Sequence, residues 1–291
     1  AGRILPIRRE LDALTEELPL TRAKWDPATT EHLARIHDSH YVDRVKAYAG
    51  EGGGRLEADT VVSPASYDVA LMASGAVCDA VTRVVNGEDL RAFCLVRPPG
   101  HHALRDDAMG FCLFNNIAVA SRLAISELGL DKVLIVDWDV HHGNGTQDAF
   151  YEDPKVGFFS IHRWPFYPGT GDAGETGAGK GLGTTVNVPV KFGTSRGEYL
   201  SKFTSTLDKF AQLIRPELVL ISAGFDAHLM DPIGSLGLLS VDFAPLTKAV
   251  IEVANEYADG KIVSVLEGGY HPQALAECVE VHLQTLAANT E

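Results

Sequence analysis

Four short apolar runs in this chain end in the same way, in a glycine or proline turn followed by histidines, aspartates or a tyrosine. Residues 92–96 lead into Arg97-Pro98-Pro99-Gly100-His101-His102. Residues 133–136 lead into Asp137-Trp138-Asp139-Val140-His141-His142-Gly143-Asn144-Gly145. Residues 218–222 lead into Ala223-Gly224-Phe225-Asp226-Ala227-His228, and 262–266 into Glu267-Gly268-Gly269-Tyr270. Near-continuous Val, Ile and Leu over such lengths marks strands buried on both faces of a parallel sheet. Helical patterns lie between and beyond these runs, at 66–85, 115–128, 198–213 and 243–257. Two further strands, 157–161 and 185–190, flank a glycine-rich stretch at 169–183 that is too long for a plain connection and reads as an active-site loop. The alternation predicts an α/β fold, a single-domain three-layer αβα sandwich with a mostly parallel sheet and helices on both faces. No internal repeat or linker divides residues 1–291, so one domain is the economical reading.

Composition narrows the partners. Hydrophobic residues make up 45% and charged residues 22%, which excludes a disordered chain, a collagen and a coiled coil. The formal charge of −14 repels polyanions, so nucleic acid and anionic membrane are not expected as ligands, whereas a cationic substrate is favoured. Cys78, Cys94, Cys112 and Cys278 are widely spaced with no C-x-x-C pair, which predicts neither a disulfide framework nor a thiolate zinc site. No apolar h-region is visible in residues 1–10, and no run approaches the roughly 20 apolar residues of a membrane span. The expectation is a soluble cytoplasmic protein, with homo-oligomerisation left open.

Ligands of open parallel sheets bind at the carboxyl ends of strands. Four such ends here carry His-His, Asp-x-Asp-x-His-His, Asp-x-His and Gly-Gly-Tyr, and their convergence predicts a site. If the backbone stays extended after Val136, then Asp137, Asp139 and His141 project to one face. Taken alone, that triplet is either a carboxylate–histidine hydrogen-bond network or a cation site. Asp226, at a separate strand end, supplies a third or fourth ligand and favours a metal. Two carboxylates and a histidine leave an open position, the pattern of a catalytic site. Zinc leads, and the oxygen-rich set also accepts Fe(II) or Co(II). Because two carboxylates cancel the charge of a dication, water there needs a nearby base, which His101 or His102 can provide. The glycines before Tyr270 let the backbone pass close to a ligand, so the Tyr270 hydroxyl can donate to a developing oxyanion.

Together these residues resemble the zinc-dependent histone deacetylase family, which includes bacterial histone deacetylase-like and acetylpolyamine amidohydrolases. The matching stretches are RPPGHHA at 97–103, MGFCLFNN at 109–116, VDWDVHHGNGTQ at 136–147, FYPGTG at 166–171, AGFDAH at 223–228 and LEGGYH at 266–271. They run in the family's order, and the resemblance spans about residues 36–286. The wording around Asn144 favours the class II branch.

The resemblance implies an arginase/deacetylase-like fold and a single zinc held by Asp139, His141 and Asp226. It implies that His102 is the general base, that His101 paired with Asp137 is its electrostatic partner, and that Tyr270 stabilises the oxyanion. Asn144 stands where some members carry an aspartate. Phe111 and Tyr167 become tunnel walls for an acyl-lysine stem, the Gly110 carbonyl accepts from the substrate amide, and Gly269 and Ile233 join the substrate-binding set. Potassium (or sodium) is implied at Asp137, Asp139, His141, Ser160 and Ile161, with a second site at backbone groups of Phe150, Asp153 and Val156. Ile233 replaces the glutamate of polyamine-selective members, which favours acylated lysine over an acylated polyamine. One departure stands out: the family's opening strand and histidine-rich loop are missing or remodelled, and the chain enters a helix almost at once. An arginase-like enzyme would need a second set of ligands for two manganese ions. An inert acyl-lysine-binding module would lack a ligand, the histidine pair or the tyrosine.

Overall fold

A computed structural model describes residues 4–18 and 20–288. Helix α1 (Ile4–Glu17) is followed by α2 (Thr30–Ala34) and α3 (Ser39–Gly50), then by a hairpin of β1 (Gly54–Arg55) and β2 (Val61–Val62). Next come α4 (Ser66–Asn86), β3 (Arg91–Cys94), α5 (Asn116–Ser126), β4 (Val133–Asp137), α6 (Asn144–Phe150), β5 (Val156–Arg163) and β6 (Thr185–Val190). The chain continues with α7 (Arg196–Ile214), β7 (Leu218–Ala223), α8 (Phe243–Tyr257), β8 (Ile262–Leu266) and α9 (Pro272–Ala287). The early helix anticipated from the sequence is α1, which packs on α9 through the buried Ile7 and Leu14. Residues 1–3 at its start lie outside the described residues.

The six long strands form one all-parallel sheet in the order β3-β8-β7-β4-β5-β6. Strand periodicity divides its side chains between two cores. Leu134, Val136, Val219, Ile221, Phe159 and Ile161 face one layer, where they meet Phe203 and Leu207 of α7 and Leu246 and Val250 of α8. Val133, Ile135, Leu218, Leu220 and Phe158 face the other, against Val77 and Val81 of α4 and Ile117 and Leu123 of α5. Each fully buried Leu, Ile or Phe contributes about 1.5–3 kcal/mol relative to exposure. Truncating one such as Ile135 to Ala costs about 2–5 kcal/mol. This is the predicted three-layer α/β sandwich with helices on both faces. All four cysteines are buried with free thiols.

Register aligns the carboxyl ends of the strands. Asp137 pairs with Ser222 on one side and Ser160 on the other, and Leu266 lies beside Ala223. The chemistry-bearing segments therefore leave the sheet along one edge.

Candidate active site

The backbone does not stay extended after β4. The strand ends at Asp137, whose Oδ1 accepts the Asp139 N–H at 3.0 Å, and Asp139 Oδ1 in turn accepts the His141 N–H at 3.0 Å. These local side-chain bonds turn the chain and separate the three residues into two groups. Asp137 Oδ2 accepts from His101 Nδ1 at 2.9 Å, while Asp139 and His141 turn toward Asp226 at the end of β7.

Asp139, His141 and Asp226 are buried, and their ligand atoms all lie within 4.8 Å of one another. His141 Nδ1 stands 3.0 Å from Asp139 Oδ1 and 3.1 Å from Asp226 Oδ2. Backbone donors hold both carboxylates: Val140 N–H donates to Asp226 Oδ1 at 2.8 Å, and Gly268 N–H to Asp139 Oδ2 at 2.7 Å. Asp226 Oδ2 is buried without a hydrogen-bond donor. An orphaned carboxylate oxygen beside a second carboxylate and an imidazole nitrogen fits a divalent cation. Burial opposes charge on His141, yet its hydrogen bond to Asp139 and the nearby charges of Asp139 and Asp226 prevail and push its pKa up to about 10. Asp226 is itself pushed up to about 7, by burial and then by Asp139. The rise at His141 reflects the two carboxylates beside it. Gly268 is required here, since a Cβ at that position would lie 2.2 Å from Asp226 Oδ2 and 2.3 Å from Asp139 Oδ2.

His101 and His102 occupy the loop after β3, with ring centroids 4.0 Å apart. Burial lowers the pKa of His101, but Asp137, Asp139 and Glu267 outweigh it and raise it to about 10. His102 Nδ1–H donates to Asn144 Oδ1 at 2.7 Å, leaving Nε2 as the acceptor face. Burial first, and then the charge on His101, holds the His102 pKa well below the ordinary histidine value. A charged histidine stands beside a neutral one, the division of labour an acid–base pair needs.

The remaining predicted residues surround this centre. Tyr167 meets the rings of His102 and His141 edge-on at 5.3 and 5.9 Å, and Phe111 packs against Tyr270 at 5.9 Å. Phe166 stacks on His141 at 5.2 Å and 15°. Phe111 and Tyr167 remain partly exposed, as rims of an opening do, and Ile233 is exposed on the loop after Asp226. Gly110, at φ +56°, lies so close to His102 that a Cβ would approach its ring to 2.2 Å, and its carbonyl accepts from Cys112 Sγ at 3.3 Å. Gly269 adopts φ +116° in the turn before Tyr270. Ser160 Oγ bonds His162 Nδ1 at 2.9 Å beside the buried Ile161. Phe150 and Val156 are buried further along, and the Asp153 carboxylate is engaged by Arg122 at 2.6 Å.

Phe166 and Tyr167, just before the glycine-rich stretch, reach the centre, whereas Thr170 and Gly171 meet His142 and His162 behind it. Past Gly171 the stretch is fastened away from the centre: Glu175 Oε2 accepts from Gln147 Nε2 at 2.6 Å and from Gly171 N at 3.1 Å, and Ala178 N–H donates to Tyr151 O at 2.8 Å. The stretch read as an active-site loop is held by Gln147 of α6 and by the turn after that helix.

Two supporting carboxylates had no role legible in the sequence. Asp59, in the β1–β2 hairpin, accepts from Tyr167 Oη at 2.9 Å and from Gly110 N–H at 3.0 Å, tying the two walls together. Glu267 is fully buried and accepts the Gly100 and His101 N–H groups at 2.7 and 3.3 Å, so the tyrosine strand holds the histidine loop. Its position in LEGGYH was visible, but its partners are backbone amides that no motif names.

Comparison with known proteins agrees with this geometry. The histone deacetylase domain matches residues 2–286. The chain is 39% identical over 270 residues to the histone deacetylase-like amidohydrolase of Pseudomonas aeruginosa, covering 92% of this chain and 70% of that protein. It is 41% identical over 272 residues to the polyamine deacetylase HDAC10 of Homo sapiens, covering 89% of this chain and 40% of that longer one. The crystal structure of the HDA15 HD domain shares the fold with a TM-score of 0.92 and 35% identity, covering 98% of this chain and 80% of that one.

Proposed function

This chain belongs to the histone deacetylase family and is a deacetylase, and we propose that it removes an acetyl or other short acyl group from an acylated lysine side chain. The observation that carries the proposal is the buried Asp139–His141–Asp226 group lying beside a histidine held neutral. Those three residues would hold one zinc ion, whose Lewis acidity polarises the acyl carbonyl and acidifies water. One such group among the described residues favours a single metal over the pair that an arginase-like enzyme needs.

The residues of the chain then divide the work. His102 Nε2 accepts a proton from the attacking water as its oxygen bonds to the acyl carbon. Asn144 keeps the other ring nitrogen protonated, which fixes the tautomer for that task. Burial, and then the charged His101 paired with Asp137, keeps His102 neutral beforehand. Tyr270 donates its hydroxyl to the developing oxyanion. The C–N bond breaks as His102 returns the proton to the amine nitrogen, giving a carboxylic acid and a free amine, and the acid then passes its proton on to give a carboxylate and an ammonium. Phe111 and Tyr167 enclose the stem and exclude water, and the Gly110 carbonyl, Gly269 and Ile233 contact the substrate.

We further assign a structural potassium ion to Asp137, Asp139, His141, Ser160 and Ile161, a second to backbone groups of Phe150, Asp153 and Val156, and a class II, cytoplasmic character to the protein. Among the described residues no helix is long and apolar enough to cross a membrane.

Acetylpolyamine hydrolysis is the second reading, favoured by the identity to the human polyamine deacetylase. Ile233 brings no carboxylate to its loop for a distal ammonium, which supports acyl-lysine first. Side-by-side rates on acetyl-lysine peptides, acetylputrescine and longer acyl-lysines test the ranking. Turnover of acetylpolyamine alone would reverse it.

A further inference from the structure

Asp231 is a buried carboxylate between two parts of the site that come from different strand ends. Its Oδ2 accepts the backbone N–H of Tyr270 at 2.6 Å. Its Oδ1 accepts the N–H groups of Ile233 and Gly234, both at 2.9 Å. The loop it belongs to is fastened to the metal-ligand side: Ser235 N–H donates to Asp226 O at 2.7 Å, and Leu236 N–H to Ala227 O at 2.9 Å. Arg163 Nη1 adds a bond to Gly234 O at 2.8 Å. One oxygen of Asp231 is therefore fixed relative to Asp226, and the other grips Tyr270.

Tyr270 leaves β8 through Gly268-Gly269, a pair with no side chains to define where the next residue sits. A hydroxyl donor stabilises an oxyanion only when it lies about 2.7–3.1 Å from it, and a displacement of about 1 Å can cost on the order of 10²-fold in rate. We propose that Asp231 is a positioning residue that sets Tyr270 relative to Asp226 and couples it to the rim residue Ile233. This rests on the reading of Tyr270 as the oxyanion donor.

A double-mutant cycle tests it. Asp231→Asn presents one acceptor and one amide donor to two sets of N–H groups, so one set loses its partner. In the wild-type background we expect kcat to fall by about 10-fold or more, with KM changed less than about 3-fold. In a Tyr270→Phe background the same change should cost less than about 2-fold, because the donor it positions is already gone. Equal fold losses in both backgrounds, or no loss in either, overturn the inference. Asp231→Glu, which keeps the charge and both acceptors but moves them by one methylene, serves in the same cycle if the asparagine variant does not fold. Hydrogen exchange gives a readout independent of turnover: the Tyr270 amide should exchange faster in Asp231→Ala, which removes both acceptors, while amides of β8 do not. Unchanged exchange at Tyr270 overturns the inference even in an active enzyme. A Tyr270→Phe variant with full activity would instead overturn the reading of Tyr270, leaving exchange to decide whether Asp231 holds it.

Discussion

His102 and Asn144 are joined Nδ1 to Oδ1 at 2.7 Å, so the base is oriented by a neutral amide rather than by a carboxylate. Asn144→Asp places a negative charge on the same ring nitrogen and favours protonated His102. Because the base works only when neutral, the acidic limb of the kcat/KM profile should move to higher pH, by about one unit or more. A limb that stays in place would show that another group titrates there.

Tyr270→Phe removes the oxyanion donor and leaves the ring that packs on Phe111. We expect kcat to fall on the order of 10²-fold or more, with metal content unchanged by elemental analysis. Near-full turnover would remove Tyr270 from the mechanism.

Chelation should abolish activity and lower the melting temperature together, since the emptied site retains two carboxylates against one histidine. Restoring zinc at about 100 times its dissociation constant should return about 2.7 kcal/mol of stability. Gly268→Ala puts a methyl group within 2.3 Å of both carboxylates and should leave a folded chain that retains little metal. Stoichiometric zinc in that variant would contradict the placement of the site.

Stability should also respond to acid through His37, away from the metal ligands. Its Nδ1–H donates to Leu104 O at 2.8 Å, and its Nε2 accepts the Asn115 N–H at 2.9 Å, a pairing that only the neutral ring can make. Burial pushes its pKa down to about 4. The unfolded chain then binds a proton near pH 6.5 that the folded chain refuses. The His37 contribution is complete above about pH 6.5, is lost as pH falls toward 4, and amounts to roughly 3 kcal/mol. His282, held between Thr247 and Ser264 and also lowered by burial, acts in the same direction. Denaturation midpoints at pH 7 and pH 5 measure the slope, and His37→Asn, which can keep the donor to Leu104, should flatten it.

The central strands were legible because a strand buried on both faces is almost pure Val, Ile and Leu, as 133–136 and 218–222 are, whereas β3 and β6 at the sheet edges are only partly buried and mixed in composition. The site was legible for a related reason: polar residues directly after such runs have one sheet edge to go to. What escaped was held by partners that carry no side-chain signature. Asp59 lies in a hairpin with strands of two residues, too short for any periodicity. Asp231 and Glu267 act on backbone N–H groups, which every residue has. Helix α6, seven residues with a glycine in its first turn, falls below the length at which a helical period can be counted. Helix α9 did carry a signal, Pro272 at its first turn after the capping His271. The extended geometry expected after Val136 failed because Asp137 and Asp139 bend their own backbone with their side chains.

The position of β8 has a consequence for how the enzyme comes into being. The last of the six strands to be synthesised lies inside the sheet, between β3 and β7, and carries Glu267 and Tyr270 at its end. Until it inserts, β3 with its histidine pair has no hydrogen-bonded neighbour joining it to the strands bearing Asp139 and Asp226. A nascent chain thus carries every metal ligand and both histidines before the strand that leads to Glu267 and Tyr270 is made, so the oxyanion donor and the clamp on the histidine loop are the last parts of the centre to be synthesised.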